Sequence, residues 1–294
     1  MRLLRFLLIA GSAGVAALAL AVGSVHAAAP GLARQPASYR PSARFLAEAR
    51  TALVRYLHFD HPQIDFVHPG SAHAGLAGTS LVGSYNWSGY ADTSTVHGTF
   101  SKVSGQWTTP AVSCTSEDTL TSDWVGLDGL TDGTVEQDGT ISWCFEDRAT
   151  YFTWYEMYPA GTVEVGTSLE PGDKITATVS RVGTSYTLAL TDSTRPANSF
   201  TKTATCAAAT CLDTSAEWIA ERPAFAIGVT PLAAYGTWHL AAATETAAGT
   251  VGTISSYAAN DEILMVDATD HYYLSTPSAL TGGNSFVTTW RDSY

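Results

Sequence analysis

Asp123-Trp124-Val125-Gly126-Leu127-Asp128-Gly129 and, further on, Thr153-Trp154-Tyr155-Glu156-Met157-Tyr158-Pro159 decide how this chain folds. A period of two puts Trp124 and Asp128 on one face of the first stretch, with Val125 and Leu127 on the other. The same period groups Phe152, Trp154, Glu156 and Tyr158 against Tyr151, Thr153, Tyr155 and Met157. Two neighbouring strands then each present a tryptophan beside a carboxylate on one surface, as a substrate groove would. Between them, Thr134-Val135-Glu136-Gln137-Asp138-Gly139 reads as a turn around Asp138-Gly139. Later, Ser215-Ala216-Glu217-Trp218-Ile219-Ala220-Glu221 sets Glu217, Ile219 and Glu221 on one side.

Working outward, the chain has 294 residues, of which 45% are apolar and only 14% charged. Thr, Ser, Gly, Val and aromatics outnumber the helix-forming Lys and Glu, which favours strands. From Thr79 to Tyr294 short strand patterns alternate with turn signals at Asp128-Gly129, Asp132-Gly133, Asp138-Gly139, Pro171-Gly172-Asp173 and Gly282-Gly283-Asn284. This spacing predicts one all-β domain over residues 79–294, an antiparallel β-sandwich of two packed sheets.

The first 28 residues read as an export signal: Arg2 and Arg5, an apolar run from Leu7 to Val22, then Val25-His26-Ala27. The apolar run is shorter than the 18 or so residues of a membrane anchor, so a secreted, extracellular protein is expected, with no membrane contact after signal removal. Residues 29–78 carry five arginines and four histidines against three acids. Phe45, Leu46, Ala49, Leu53 and Leu57 recur at helical spacing after Pro41-Ser42, and a Pro- and Gly-rich linker follows. A removable, partly helical propeptide is expected, an inhibitor of the domain it precedes. The body beyond it has eight Lys plus Arg against 24 acids. A basic cap on an acidic body holds at neutral pH and loosens as carboxylates protonate, so acid release is expected.

With a net charge of −12, no nucleic-acid partner is expected. The four cysteines fit disulfides in an exported protein; three pairings are possible, and Cys206-Cys211 with Cys114-Cys144 is favoured. No CxxC or nearby histidine pair speaks for zinc, and no metal or other cofactor is expected. A GxSxG elbow is absent, Asp92-Thr93-Ser94 is only a near-match to an aspartic-peptidase motif, and the body has just three histidines. Scarce cations limit positive self-repulsion in acid, where a histidine base would be protonated but a carboxylate still works.

Trp124-Val125-Gly126-Leu127-Asp128-Gly129, the Gln137 segment, Trp154-Tyr155-Glu156-Met157-Tyr158-Pro159 and Ala216-Glu217-Trp218-Ile219-Ala220-Glu221 together resemble the glutamic peptidase family, the eqolisins. Asn86-Trp87-Ser88-Gly89 resembles that family's first strand. The resemblance implies a sandwich of two antiparallel sheets, secretion as a precursor, and endopeptidase activity at acid pH, with Gln137 and Glu217 as the catalytic pair. Glu217 would serve as general base and then acid on water, Gln137 as a neutral oxyanion donor. Trp124, Asp128, Trp154 and Glu156 would line the groove around protein or peptide substrates, in a monomer. The chain departs from the family at Glu136 and Asp138, acidic neighbours that would raise the pKa of Glu217 if they pointed inward, and at Met157, where an aromatic is common.

Plainer readings compete. Glu221 shares the face of Glu217, the tryptophans suit a core as well as a groove, and Asn86-Trp87-Ser88 is a glycosylation sequon that burial would silence. From another class, aromatics beside paired carboxylates such as Glu156 and Glu217 also suit a carbohydrate-binding sandwich or a glycosidase.

Overall fold

Thr, Val and aromatic residues fill the segments between turns, and these segments form strands. The computed structural model describes residues 79–294, apart from positions 131, 146, 209, 226, 227 and 268–271. The expected signal and propeptide, residues 1–78, lie outside the described residues. The first seven strands are β1 (Thr79–Ser84), β2 (Trp87–Thr93), β3 (Phe100–Thr108), β4 (Thr119–Leu127), β5 (Val135–Phe145), β6 (Arg148–Tyr158) and the short β7 (Val163–Gly166). A meander of β8 (Lys174–Val182), β9 (Ser185–Asp192) and β10 (Phe200–Thr205) leads to β11 (Ser215–Glu221). Two-residue strands β12 (Ala224–Phe225) and β13 (Gly228–Val229) precede β14 (Thr237–Ala247), β15 (Thr250–Gly252), β16 (Asn260–Val266), β17 (Tyr273–Pro277) and β18 (Phe286–Trp290). Among the described residues, helix is limited to single 3-10 turns at Pro196–Asn198 and Ile254–Ser256.

The expectation of two separate sheets is refined by the hydrogen bonding. One path runs β10-β9-β8-β3-β14-β18-β17-β16-β2-β11-β4-β5-β6-β7, so the layers join into a nearly closed, sandwich-like fold. Neighbours along this path are antiparallel; β1 adds to β16 in parallel. β4 and β5 pack on β3, β8 and β9. The core between them takes Val125, Leu127 and Trp218 from one side and Val103, Val179 and Leu188 from the other. Trp218 is fully buried and its indole N–H donates to the Ser104 carbonyl at 2.9 Å, so its large apolar surface is buried without an orphaned donor.

Both favoured disulfides are present, Cys114–Cys144 and Cys206–Cys211. Loop-closure entropy makes the first, whose ends are separated by 30 positions in sequence, worth about 3.5 kcal/mol and the second about 2 kcal/mol. The Asp128-Gly129 turn forms, with both residues at positive φ (66° and 108°). A Cβ on Gly129 would lie 2.5 Å from Val135 Cγ2, so this turn requires glycine.

The expected turn at Asp138-Gly139 does not form: β5 runs straight through it from Val135. The glycine answers another need. A Cβ on Gly139 would sit 2.2 Å from the Asp123 carbonyl oxygen and 2.7 Å from Trp124 Cβ, so β4 can approach only a bare backbone there.

Candidate active site

Register converts four separate sequence segments into one surface. Glu156 on β6 pairs with Gln137 on β5, Gln137 with Gly126 on β4, and Gly126 with Glu217 on β11. Directly opposed residues share a face, so Glu156, Gln137 and Glu217 form a row, interrupted only by a glycine. The next row holds Trp154, Gly139, Trp124 and Ile219. Each row thus places a glycine between large or polar side chains. Gln137 and Glu217 stand two strand spacings apart, about 9.5 Å between backbones, a span that two long side chains bridge with one water between them. Gly126 leaves that space free, and Trp124 closes its floor: a Cβ on Gly126 would lie 2.8 Å from Trp124 Cζ3.

Hydrogen bonds fix the polar members of this face. Gln137 Nε2 donates to Glu156 Oε2 at 2.7 Å, and Thr162 Oγ1 donates to Glu156 Oε1 at 2.6 Å. Trp124 Nε1 donates to Glu221 Oε2 at 2.8 Å, and Asn86 Nδ2 to Glu221 Oε1 at 3.2 Å. Trp87 meets Trp124 edge-on, with ring centroids 4.9 Å apart. Glu221, the competitor of Glu217 on the same face, therefore orients Trp124. Asp128 uses its carboxylate on the chain entering β11, accepting the backbone N–H of Asp213 at 2.6 Å and of Thr214 at 2.7 Å. It ties the end of β4 to the start of the strand that carries Glu217.

Glu217 differs from these carboxylates. It is fully buried, and neither of its oxygens completes a hydrogen bond with another described residue. Burial pushes its pKa well above the ordinary carboxylate value; the Ser215 hydroxyl on the same face opposes this, and Asp128, Asp132 and Glu136 add like-charge repulsion. Trp218, between Glu217 and Ile219, points to the core instead, as does Met157, so the loss of an aromatic there alters packing beneath the site.

Glu136 and Asp138 also point away from Gln137. Burial raises Glu136 to about 10. Its Oε1 lies 2.9 Å from Cys211 Sγ; that sulfur is in a disulfide and has no hydrogen, so the protonated carboxyl is the donor. Asp138 is fully buried and is pushed well above the ordinary range by burial; the Ala189 N–H opposes this without completing a hydrogen bond. Of the two acidic neighbours, only Glu136 acts on Glu217. Below its own pKa it is neutral, so at acid pH its repulsion vanishes.

Two groups have metal-ligand proximity: Asp128, Glu136 and Asp213, and Glu136 with Cys206 and Cys211, with oxygens or sulfurs within 4.8 Å of one another. In the second, both sulfurs are spent on the disulfide. In the first, Asp213 already holds Arg181 at 2.9 Å and the Tyr186 hydroxyl at 2.7 Å. Asp92, of the near-match Asp92-Thr93-Ser94, is a buried residue next to Ala91, whose position in the Glu217 row puts Asp92 on the opposite face. The sequon asparagine Asn86 is buried, as its bond to Glu221 requires.

The model of the peptidase A4 family matches residues 85–290. This chain belongs to the peptidase A4 family. Aspergillopepsin-2 of Aspergillus niger is 30% identical to it over 160 residues, 47% of this chain and 56% of the relative. The chain thus matches little more than half the length of that curated relative. Among solved structures, scytalido-glutamic peptidase with a peptide-based transition state analog aligns with a TM-score of 0.59 at 22% identity, over 70% of this chain and 98% of the other. Aspergilloglutamic peptidase from Aspergillus niger aligns at 0.51 and 26%, over 59% and 99%. The peptidase A4 fold is therefore present from β2 to β18.

Two features of the site were missed in the sequence. Thr162 sits on the connection after Pro159, where no periodicity applies, and its bond to Glu156 carried no signal. The role of Gly126 follows from register with β5 and β11, which local pattern does not reveal.

Proposed function

We propose that the chain is a secreted glutamic endopeptidase that hydrolyses peptide bonds at acid pH with Gln137 and Glu217. Glu217 removes a proton from water as the oxygen attacks the scissile carbonyl carbon. The carbonyl oxygen becomes an oxyanion and accepts an N–H from Gln137, which has a second hydrogen beyond the one given to Glu156. Glu217 then returns the proton to the leaving nitrogen as the C–N bond breaks. Trp124 and Trp154 wall the groove, Glu156 orients Gln137, and Asp128 steadies the approach to β11.

The single observation that carries this reading is the cross-strand row in which Gln137 and Glu217 flank a side-chain-free Gly126. A neutral amide suits the task because it donates at any pH and adds no charge beside Glu217. Gln137, Glu156 and Glu217 are all buried. While buried, Glu217 is held protonated in acid; water entering the groove restores its solvation and lowers its pKa toward the range in which it works as a base. We assign residues 29–78 the role of acid-released propeptide.

The decisive experiment digests denatured casein with the full chain across about pH 2 to 7, beside Gln137→Ala and Glu217→Gln. Acid activity that falls about a thousandfold or more in both variants is expected. Either variant working at the wild-type rate ends the proposal, and a wild type that cuts glycans but no protein favours the carbohydrate reading.

A further inference from the structure

Both oxygens of Glu156 accept hydrogen bonds, and Gln137 supplies the one on Oε2. The other comes from Thr162, outside β6, on the connection between Tyr158 and β7. Pro159 and Ala160 on that connection are exposed, whereas Thr162 turns back and is buried. We propose that the Thr162 hydroxyl is a positioning residue for peptide hydrolysis, setting through Glu156 which way the Gln137 amide faces. The inference rests on the Gln137/Glu217 reading above.

A Glu carboxylate turns freely about its last bond, whose torsional preference is broad and two-fold. Held at one oxygen only, it can swing and carry the amide with it. With Thr162 on Oε1 and Gln137 on Oε2, at 2.6 and 2.7 Å, the carboxylate plane is pinned at both corners. A carboxylate oxygen accepts and does not donate, so a pinned Glu156 selects the nitrogen of Gln137 and rejects its carbonyl oxygen. The amide flip is thereby fixed, and with it the direction of the second N–H, the one the oxyanion needs. Thr162 touches no reacting atom. Its effect belongs to turnover, because the oxyanion exists only in the transition state.

Kinetics on the full chain test this, with a fluorogenic peptide built on a bond that the wild type cuts in casein. Thr162→Val keeps the shape and removes the hydroxyl. It should lower kcat about tenfold with KM within about twofold, while Thr162→Ser returns kcat to within about twofold of wild type. In a Glu156→Gln background, where the carboxylate link is already broken, Thr162→Val should cost less than about twofold more. If Val does not fold, as judged by near-UV circular dichroism, Thr162→Ala removes the same hydroxyl without the added methyl. Wild-type kcat in Thr162→Val, equal impairment in Thr162→Ser, or an undiminished tenfold cost in the Glu156→Gln background would each overturn the inference. The controls separate the levels: full activity in Gln137→Ala and Glu217→Gln sinks the dyad reading itself, whereas an inactive dyad pair beside an unaffected Thr162→Val sinks only the role of Thr162.

Discussion

The two faces of β5 carry the same kinds of residue to opposite ends. On the front, Gln137 looks across at Glu156, and Glu156 and Glu221 each have a donor on both oxygens. On the back, Asp138 and, on the same face of β4, Asp123 are equally buried but have no hydrogen-bond partner among the described residues. Burial alone therefore does not decide what a carboxyl group does here; donors do. Furnished with N–H and O–H groups, a buried acid serves as a fixed acceptor. Asp123 and Asp138, without them, are tolerated as neutral acids, and burial raises both well above the ordinary range.

The back face should produce the largest effect. Asp123, Asp138, Asp92 (about 9) and Glu136 (about 10) all have folded pKa values above those of the unfolded chain. Their contribution is complete below about pH 4, the unfolded carboxylate range, and is lost as pH rises toward the folded values. Each group costs about 1.4 kcal/mol of stability per pH unit within that window. Thermal unfolding should be highest in temperature near about pH 4 or below and drop by more than about 10 °C by neutral pH. Asp138→Asn should make that slope shallower by one group's share; an unchanged slope would erase the contrast between the faces.

Gly126→Ala probes the front. The new methyl meets Trp124 Cζ3 and stands between Gln137 and Glu217, so kcat should fall about tenfold to a hundredfold, with about 1–3 kcal/mol lost to overpacking. Retained turnover would mean that the gap at Gly126 is not the reaction space. Smaller still is Glu221→Gln, which breaks the two-acceptor arrangement around Trp124 and Asn86. A chemical-denaturation loss of about 1–3 kcal/mol is expected, with Trp124 less well held and KM raised about threefold. No loss would put Glu221 among the idle acids of the back face.

These outcomes bear on what was legible in the sequence. Alternation alone sorted Trp124 from Val125 and Glu156 from Met157, because strand geometry acts on neighbours. It also placed Glu217, Ile219 and Glu221 on one side, yet could not choose between the two acids; that choice depends on Trp124 and Asn86, distant in the chain. The pairing of the cysteines was within reach because so few loops needed closing. Asp138-Gly139 misled for a physical reason: the dipeptide that suits a hairpin also suits a strand pressed against another backbone. Rows such as Glu156, Gln137, Gly126 and Glu217 are created by register between remote strands, and no local pattern records register. Thr162 was silent for the same reason, a single hydroxyl on a connection whose course is set by what it packs on.

The inward-turned Asn86 carries a practical consequence for producing the protein. Its amide is committed to Glu221 and shielded from solvent, so a sugar-transferring enzyme in a eukaryotic host can reach it only before β2 docks. An oligosaccharide attached at that stage could not be accommodated afterwards, and the modified chains would accumulate as misfolded product. Expression in a host without N-linked glycosylation, or with Ser88→Ala to remove the acceptor signal, should recover the lost yield.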